Sequence, residues 1–175
     1  GLAEAFDAHP ENPSPFLMFT GFKWDIANPS RKVITSYTCF PSYILRDIKQ
    51  QASRLFSEKM GKESDRFLEG ILDLASHRAG PRDFLYYEAE EIGNDRKSFS
   101  INLYRAGLKM AEAYPLLLDI ARYFDIDMEE FHRIYKTTRY QILGNIAGGI
   151  DREGNDFITL YFSKKLGFYK QSSGI

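Results

Sequence analysis

A four-residue pattern recurs three times in this chain and ends in tyrosine each time. It reads Ile-Thr-Ser-Tyr at 34–37, Ile-Asn-Leu-Tyr at 101–104 and Ile-Thr-Leu-Tyr at 158–161. A phenolic hydroxyl donates and accepts hydrogen bonds, and a tyrosine ring attracts cations. Recurrence at the same place in successive units indicates an internal repeat. The pattern selects six candidate ligand-contacting residues: Thr35, Tyr37, Asn102, Tyr104, Thr159 and Tyr161.

Each copy of the pattern falls in the second strand of a predicted β-hairpin. β-branched and aromatic residues that alternate between turn formers predict these strands. Amphipathic spacing between the hairpins predicts two pairs of helices. The predicted strands are 16–25, 32–40, 83–90, 97–105, 140–151 and 156–163. The predicted helices are 41–61, 64–80, 110–124 and a short helix that begins at Asp127.

Particular residues set the predicted helix ends. Gly61 is expected to end the first helix and Ser64 to cap the second. Pro115 is expected in the first turn of the third helix, and Asp127 is expected to cap the fourth. The predicted fold is therefore α+β, with an antiparallel sheet of six strands in the order ββ-αα-ββ-αα-ββ and helix pairs on one face.

The two faces of the predicted strands differ in character. Phe99, Ile101 and Leu103 form an aliphatic face, which the helices must cover. In the fifth strand, Ile142 and Ile146 are expected on this face and Leu143 on the other. The other face carries small polar residues and tyrosines. It fits either a ligand-filled concavity or a surface in contact with solvent or a dimer partner.

The chain is expected to form one domain at 16–165, with an N-terminal arm at 1–15 and a flexible tail at 166–175. With 24 acidic and 23 basic side chains, the sequence offers no electrostatic footprint for nucleic acid or an anionic membrane. A single cysteine, Cys39, excludes an intramolecular disulfide and fits a reducing, cytoplasmic location. No metal site is expected, because the three histidines lack ligand spacing and no DDxxD motif occurs.

The alternation of hairpins and helix pairs resembles the aromatic prenyltransferases of the ABBA, or PT-barrel, class. The closest local likeness is 150–163, where an acidic residue and a turn precede the strand Phe-Ile-Thr-Leu-Tyr-Phe-Ser. In that class five such units close a ten-stranded barrel around a lumen that binds an allylic diphosphate and an aromatic substrate. Here three units and six strands are present, so an open or partial barrel is expected.

The resemblance implies roles for particular side chains. The six residues of the recurring pattern would hold a diphosphate, with Mg²⁺ as a possible companion, or shield an allylic cation. Glu88 would act as the base that accepts the proton lost on aromatic substitution. Lys23 and Lys164 would neutralise the leaving pyrophosphate. Each of these residues also has a structural interpretation, namely strand-end packing for the tyrosines and solvated surface positions for Glu88, Lys23 and Lys164.

Three functions remain open at this point. The first is a PT-barrel-like protein that binds a small aromatic molecule or prenylates it. The second is a non-catalytic α+β domain that binds an apolar metabolite or forms a homodimer through its tyrosine-rich face. The third is an unrelated small-molecule enzyme that uses the same concavity.

Overall fold

The six predicted strands form a single antiparallel sheet in which every strand pairs with its sequence neighbour. The computed structural model describes residues 13–24, 26–28 and 32–163. The sheet order is the chain order, and the first and last strands are its two edges. The strands are β1 (Phe16–Trp24), β2 (Lys32–Cys39), β3 (Leu85–Glu91), β4 (Lys97–Asn102), β5 (Ile142–Ile150) and β6 (Asp156–Ser163). The predicted α+β class, the open sheet and the element order are confirmed.

Four α-helices connect the hairpins. They are α1 (Leu45–Ser53), α2 (Gly61–Ser76), α3 (Tyr114–Tyr123) and α4 (Met128–Thr138). Pro115 lies in the first turn of α3, where its missing N–H costs no hydrogen bond. Asp127 caps α4, since its side chain accepts a hydrogen bond from the Glu130 amide at 2.8 Å. Both of these sequence predictions are confirmed.

The boundary between α1 and α2 was predicted wrongly. Gly61 begins α2 and does not end α1, which stops at Ser53. Ser64 is a buried residue inside the first turn of α2, and its hydroxyl donates to the Gly61 carbonyl at 2.8 Å. The turns that separate the helices bury Phe56 and Met60. This burial explains why the chain leaves the straight helical path that the apolar spacing predicted.

The hydrophobic core lies between the sheet and the helices. Tyr86 on β3 pairs with Ile101 on β4, which pairs with Ile146 on β5, and all three side chains are almost completely buried. They pack in one cluster with Ile71 of α2 and Leu117 of α3. The aliphatic strand face predicted from the sequence is therefore the face that the helices cover.

A β-bulge changes the predicted face assignment of β5. The register shifts between Leu143 and Asn145, so Gly144 is the extra residue of the strand. Leu143 pairs with Phe162 and is completely buried in the core, contrary to the prediction that it faces away from the helices. The sequence prediction assumes that side chains alternate strictly along the strand. A bulge adds one residue, so the residues before it lie on the opposite face from the one that strict alternation predicts.

Within the described residues, no helix has the length and apolar character needed to cross a membrane.

Candidate functional site

Five of the six residues of the recurring pattern lie on the sheet face opposite the helices. Thr35 pairs with Glu91, and Tyr37 with Ala89. Asn102 pairs with Asn145, which in turn pairs with Tyr161, and Thr159 pairs with Ala147. Ile101 and Leu160 are core residues, and Asn102, Thr159 and Tyr161 are their direct neighbours along β4 and β6, so these three side chains point away from the helices. Thr35 and Tyr37 point the same way, because their partners on β3 alternate with the buried Tyr86. This face is called the polar face below.

The tyrosines of the polar face lie on strands that are far apart in the order of the sheet. Tyr37 is half-buried and stacks on Phe19 with ring centroids 4.2 Å apart. Tyr161 lies on the edge strand β6 with 51% of its surface exposed. Four strand spacings separate β2 from β6, which is about 19 Å along a flat sheet. One small molecule therefore contacts both rings only if the sheet curls strongly around it.

Tyr104 is not a strand residue, contrary to the prediction. Strand β4 ends at Asn102, whose side-chain oxygen accepts a hydrogen bond from the Tyr104 amide at 3.1 Å. A 3₁₀ turn follows at Tyr104–Ala106 and ends at Gly107, which has the left-handed φ of 59°. The Tyr104 ring lies against Gly144, at a distance that leaves no space for a β-carbon there. Tyr104 therefore packs over the bulge of β5.

Glu88 lies on the helix side of the sheet, so the structure does not place it beside the polar-face residues. Its carboxylate accepts a hydrogen bond from the hydroxyl of the buried Tyr86 at 2.9 Å. Burial, followed by the charge of Glu88, raises the pKa of Tyr86. Burial also raises the pKa of Tyr43, whose ring stacks on Tyr86 at 5.6 Å. Glu88 thus serves as the hydrogen-bond acceptor for an aromatic cluster in the core.

Of the two lysines predicted to neutralise pyrophosphate, only Lys23 lies within the described residues. Lys23 is exposed on the edge strand β1, where it pairs with Val33. That register places it on the polar face, beside the edge of the sheet. Lys164 and the tail at 166–175 lie outside the described residues, as does most of the N-terminal arm.

A buried carboxylate that the sequence did not single out lies at one end of the polar face. Glu91 accepts two hydrogen bonds from Arg152, at 2.7 and 2.9 Å, and a third from Asn94 at 2.8 Å. Arg96 also pairs with it. Mainly because of Arg152, the pKa of Glu91 falls to about 2. This carboxylate is therefore ionised and fully hydrogen-bonded at neutral pH, so it does not suit the role of a proton acceptor. Its contact with Arg152 joins two hairpins, and the group formed by Glu91, Arg152, Arg96 and Asn94 is called the clamp below.

Cys39 is completely buried, and burial raises the pKa of its thiol to about 11. A thiol with this pKa is protonated at neutral pH, whereas nucleophilic chemistry needs the thiolate. Cys39 is therefore a packing residue.

An apolar cleft of about 390 Å³ lies between β6 and the helices α3 and α4. None of the residues predicted from the recurring pattern lines it. Helices α3 and α4 and the loop between them form one wall, and β6 forms the other. The lining residues are Met110, Leu117, Ile120, Ala121, Phe124, Ile126, Phe131, Ile134, Tyr135, Thr138, Asp156, Phe157, Ile158, Leu160 and Phe162. The rim is open to solvent, since Ile126, Ile134 and Phe162 are each at least 40% exposed.

Asp156 is the one charged side chain among the described residues that line the cleft. It lies at the start of β6, and its Oδ1 atom accepts a hydrogen bond from the Ser57 amide at 2.7 Å. The Ser57 hydroxyl donates to its other oxygen. The hydroxyl of Thr138 is bonded at 3.0 Å to the Ile134 carbonyl within α4, which leaves Asp156 and Tyr135 as the polar groups with spare hydrogen-bonding capacity.

Sequence reasoning missed this cleft, although a signal for it existed. The predicted fourth helix carries Phe131, Ile134 and Tyr135 on one side, and the predicted sixth strand carries Ile158, Leu160 and Phe162 on one face. The helices are expected to cover the aliphatic face of the sheet, so no gap between these two surfaces is predicted. In the structure they face each other across a gap, because β6 is the last strand of the sheet.

No group of three histidine, cysteine, aspartate or glutamate side chains suited to holding a metal ion occurs among the described residues. Comparison with protein-family models, with curated proteins and with solved structures finds no match to this chain. The resemblance to aromatic prenyltransferases thus remains a prediction from the strand motifs.

Proposed function

We propose that this chain binds a small apolar or aromatic molecule in the cleft between β6 and helices α3 and α4. The observation that supports this most directly is the size and lining of the cleft. Its volume of about 390 Å³ lies within the range of ordinary ligand sites, which is roughly 300–1,000 Å³. Such sites are mostly apolar with a few polar groups that orient the ligand, and Asp156 and Tyr135 provide these groups here.

A variant that fills the cleft tests this proposal. Ala121 on α3 is 2% exposed and lines the cleft, so Ala121→Leu adds volume where the ligand would lie. Ala147→Leu is the matched control, because Ala147 lies on the polar face, paired with Ser100 and Thr159. The neutral fluorophore N-phenyl-1-naphthylamine serves as the probe, with circular dichroism and thermal melting to verify that each variant folds.

We expect saturable fluorescence enhancement with the native chain and with Ala147→Leu, and affinity at least about tenfold lower with Ala121→Leu. Equal affinity in all three proteins would place the probe elsewhere and overturn the proposal. The exposed aromatic residues of β1, such as Phe22 and Trp24, would then be the first alternative. If Ala121→Leu fails to fold, Ile134→Asn at the exposed rim of α4 provides the same test.

A second candidate function is a PT-barrel-like protein that binds an allylic diphosphate on the polar face, with Mg²⁺ as a possible companion, and prenylates an aromatic molecule. The placement of Thr35, Tyr37, Asn102, Thr159 and Tyr161 on one face favours it. Calorimetry with geranyl diphosphate, with and without Mg²⁺, tests it. Binding that Tyr161→Ser weakens and Tyr140→Ser leaves unchanged would support it, whereas absence of binding would remove it.

A further inference from the structure

We infer that the ligand of the cleft carries a cationic amine, and that Asp156 is the residue that selects it. This inference rests on the proposed binding function and names the class of ligand. Of the described residues that line the cleft, Asp156 is the only charged one. A ligand with an apolar body and one positive group therefore matches both the walls of the cleft and its charge.

The carboxylate of Asp156 has capacity for such a partner. An ionised carboxylate offers about four acceptor positions, and Ser57 uses one on each oxygen. Asp156 is half-buried, and no lysine or arginine of the described ranges forms an ion pair with it. The two hydrogen bonds from Ser57 hold the carboxylate in one orientation, so little conformational entropy is lost when a cation binds to it.

The aromatic walls favour the same ligand. Phe131 and Tyr135 on α4 stack with ring planes 9° apart, and Phe124 and Phe162 also line the cleft. The faces of aromatic rings attract ammonium groups, and this attraction is strongest where water is excluded. The cleft thus combines several aromatic rings with one carboxylate, and both kinds of group attract an amine.

The same arrangement disfavours an anionic ligand. No lysine or arginine lines the cleft in the part of the chain that the structure describes, so a diphosphate or carboxylate group there would meet Asp156 without a compensating cation. Like charges repel, and the partly apolar surroundings of the cleft weaken the screening by water. The geometry therefore separates this cleft from the polar face, where the diphosphate of the second candidate function would bind.

Three ligands that share one carbon skeleton test the inference. They are 2-(1-naphthyl)ethylamine, 1-naphthaleneethanol and 1-naphthaleneacetic acid, which are positive, neutral and negative at neutral pH. We expect the native chain to bind the amine about tenfold more tightly than the alcohol, and the acid most weakly, as a single charge-assisted hydrogen bond would give. Dissociation constants from calorimetry at low and high salt provide the readout, and high salt should reduce both the advantage of the amine and the disadvantage of the acid.

Two variants at the carboxylate and one control complete the experiment. Asp156→Asn should remove the preference for the amine and leave the affinity for the alcohol nearly unchanged. Ser57→Ala breaks the hydroxyl contact but keeps the charge, so it should retain the preference and exclude an indirect structural effect. Asp73→Asn removes an exposed charge on α2 that lies outside the cleft lining, and it should behave as the native chain.

The outcomes are distinguishable. If none of the three naphthyl compounds binds, the proposed function itself fails. If all three bind with equal affinity, the binding function stands and the inference about the amine is overturned. If the preference for the amine survives Asp156→Asn, another group selects the ligand and the role of Asp156 is overturned.

Discussion

Arg152 holds the buried carboxylate of Glu91 with two hydrogen bonds, from Nε at 2.7 Å and from Nη2 at 2.9 Å. Glu91 is the last residue of β3, and Arg152 lies in the turn that joins β5 to β6. The pair therefore connects two hairpins that are far apart in the chain. Arg96 and Asn94, from the turn that follows β3, bind the same carboxylate.

Removal of this clamp should destabilise the sheet. Glu91→Ala removes the acceptor that Arg96 and Arg152 share, and the loss of hydrogen bonds to a charged group costs about 1.5–3 kcal/mol of unfolding free energy. Arg152→Ala should cost less, because Arg96 and Asn94 still bind the carboxylate. Urea denaturation measures both changes, with Glu90→Ala as the control because Glu90 is an exposed neighbour. Equal losses for Glu90→Ala and Glu91→Ala would contradict the clamp.

The same carboxylate predicts how stability depends on pH. The folded-state pKa of Glu91 is about 2, below its ordinary value of 4.5, so between these values the unfolded state binds more protons than the folded state. The contribution of Glu91 to the free energy of unfolding is therefore complete above about pH 4.5 and falls as the pH drops toward 2. We expect the difference in stability between the native chain and Glu91→Gln to shrink over this window. A difference that stays constant from pH 6 to pH 2.5 would refute the assignment.

The contact between Gly144 and Tyr104 predicts that alanine is tolerated less well at Gly144 than at Gly61. A β-carbon at Gly144 would overlap the Tyr104 ring, whereas one at Gly61 would meet nothing within 4 Å. Gly144→Ala should therefore lower the free energy of unfolding by about 1–3 kcal/mol through overpacking. Gly61→Ala, at the start of α2, should be neutral or slightly stabilising because alanine favours the helix. Thermal melts of the two variants measure the difference, and equal melting temperatures would mean that the ring moves away at no cost.

The fold was predictable because its signals are local. Alternation along Phe99, Ile101 and Leu103 and the helical spacing of Leu117, Ile120 and Ala121 each depend on a few neighbouring residues. Their burial in the structure follows from these patterns. Three of the five strand pairings join strands that only a turn separates, so these hairpins are also encoded locally.

The candidate site was not predictable in the same way. Glu88, Glu90 and Glu91 look alike in the sequence, and only the position of Arg152, which is 61 residues from Glu91, distinguishes the buried one. The cleft likewise depends on the distance between α4 and the edge strand β6, which no local pattern encodes. The contact between Asp156 and Ser57 joins residues that are 99 positions apart.

The location of Glu88 predicts a structural role that one double-mutant cycle can test. Glu88→Ala removes the acceptor of the Tyr86 hydroxyl, and a buried donor without a partner costs about 1–3 kcal/mol of unfolding free energy. Tyr86→Phe combined with Glu88→Ala should recover part of this loss, because the stranded hydroxyl is then absent. Urea denaturation of the two single variants and the double variant gives the coupling free energy. A coupling of zero would show that the two side chains do not interact, and the structural role of Glu88 would then be wrong.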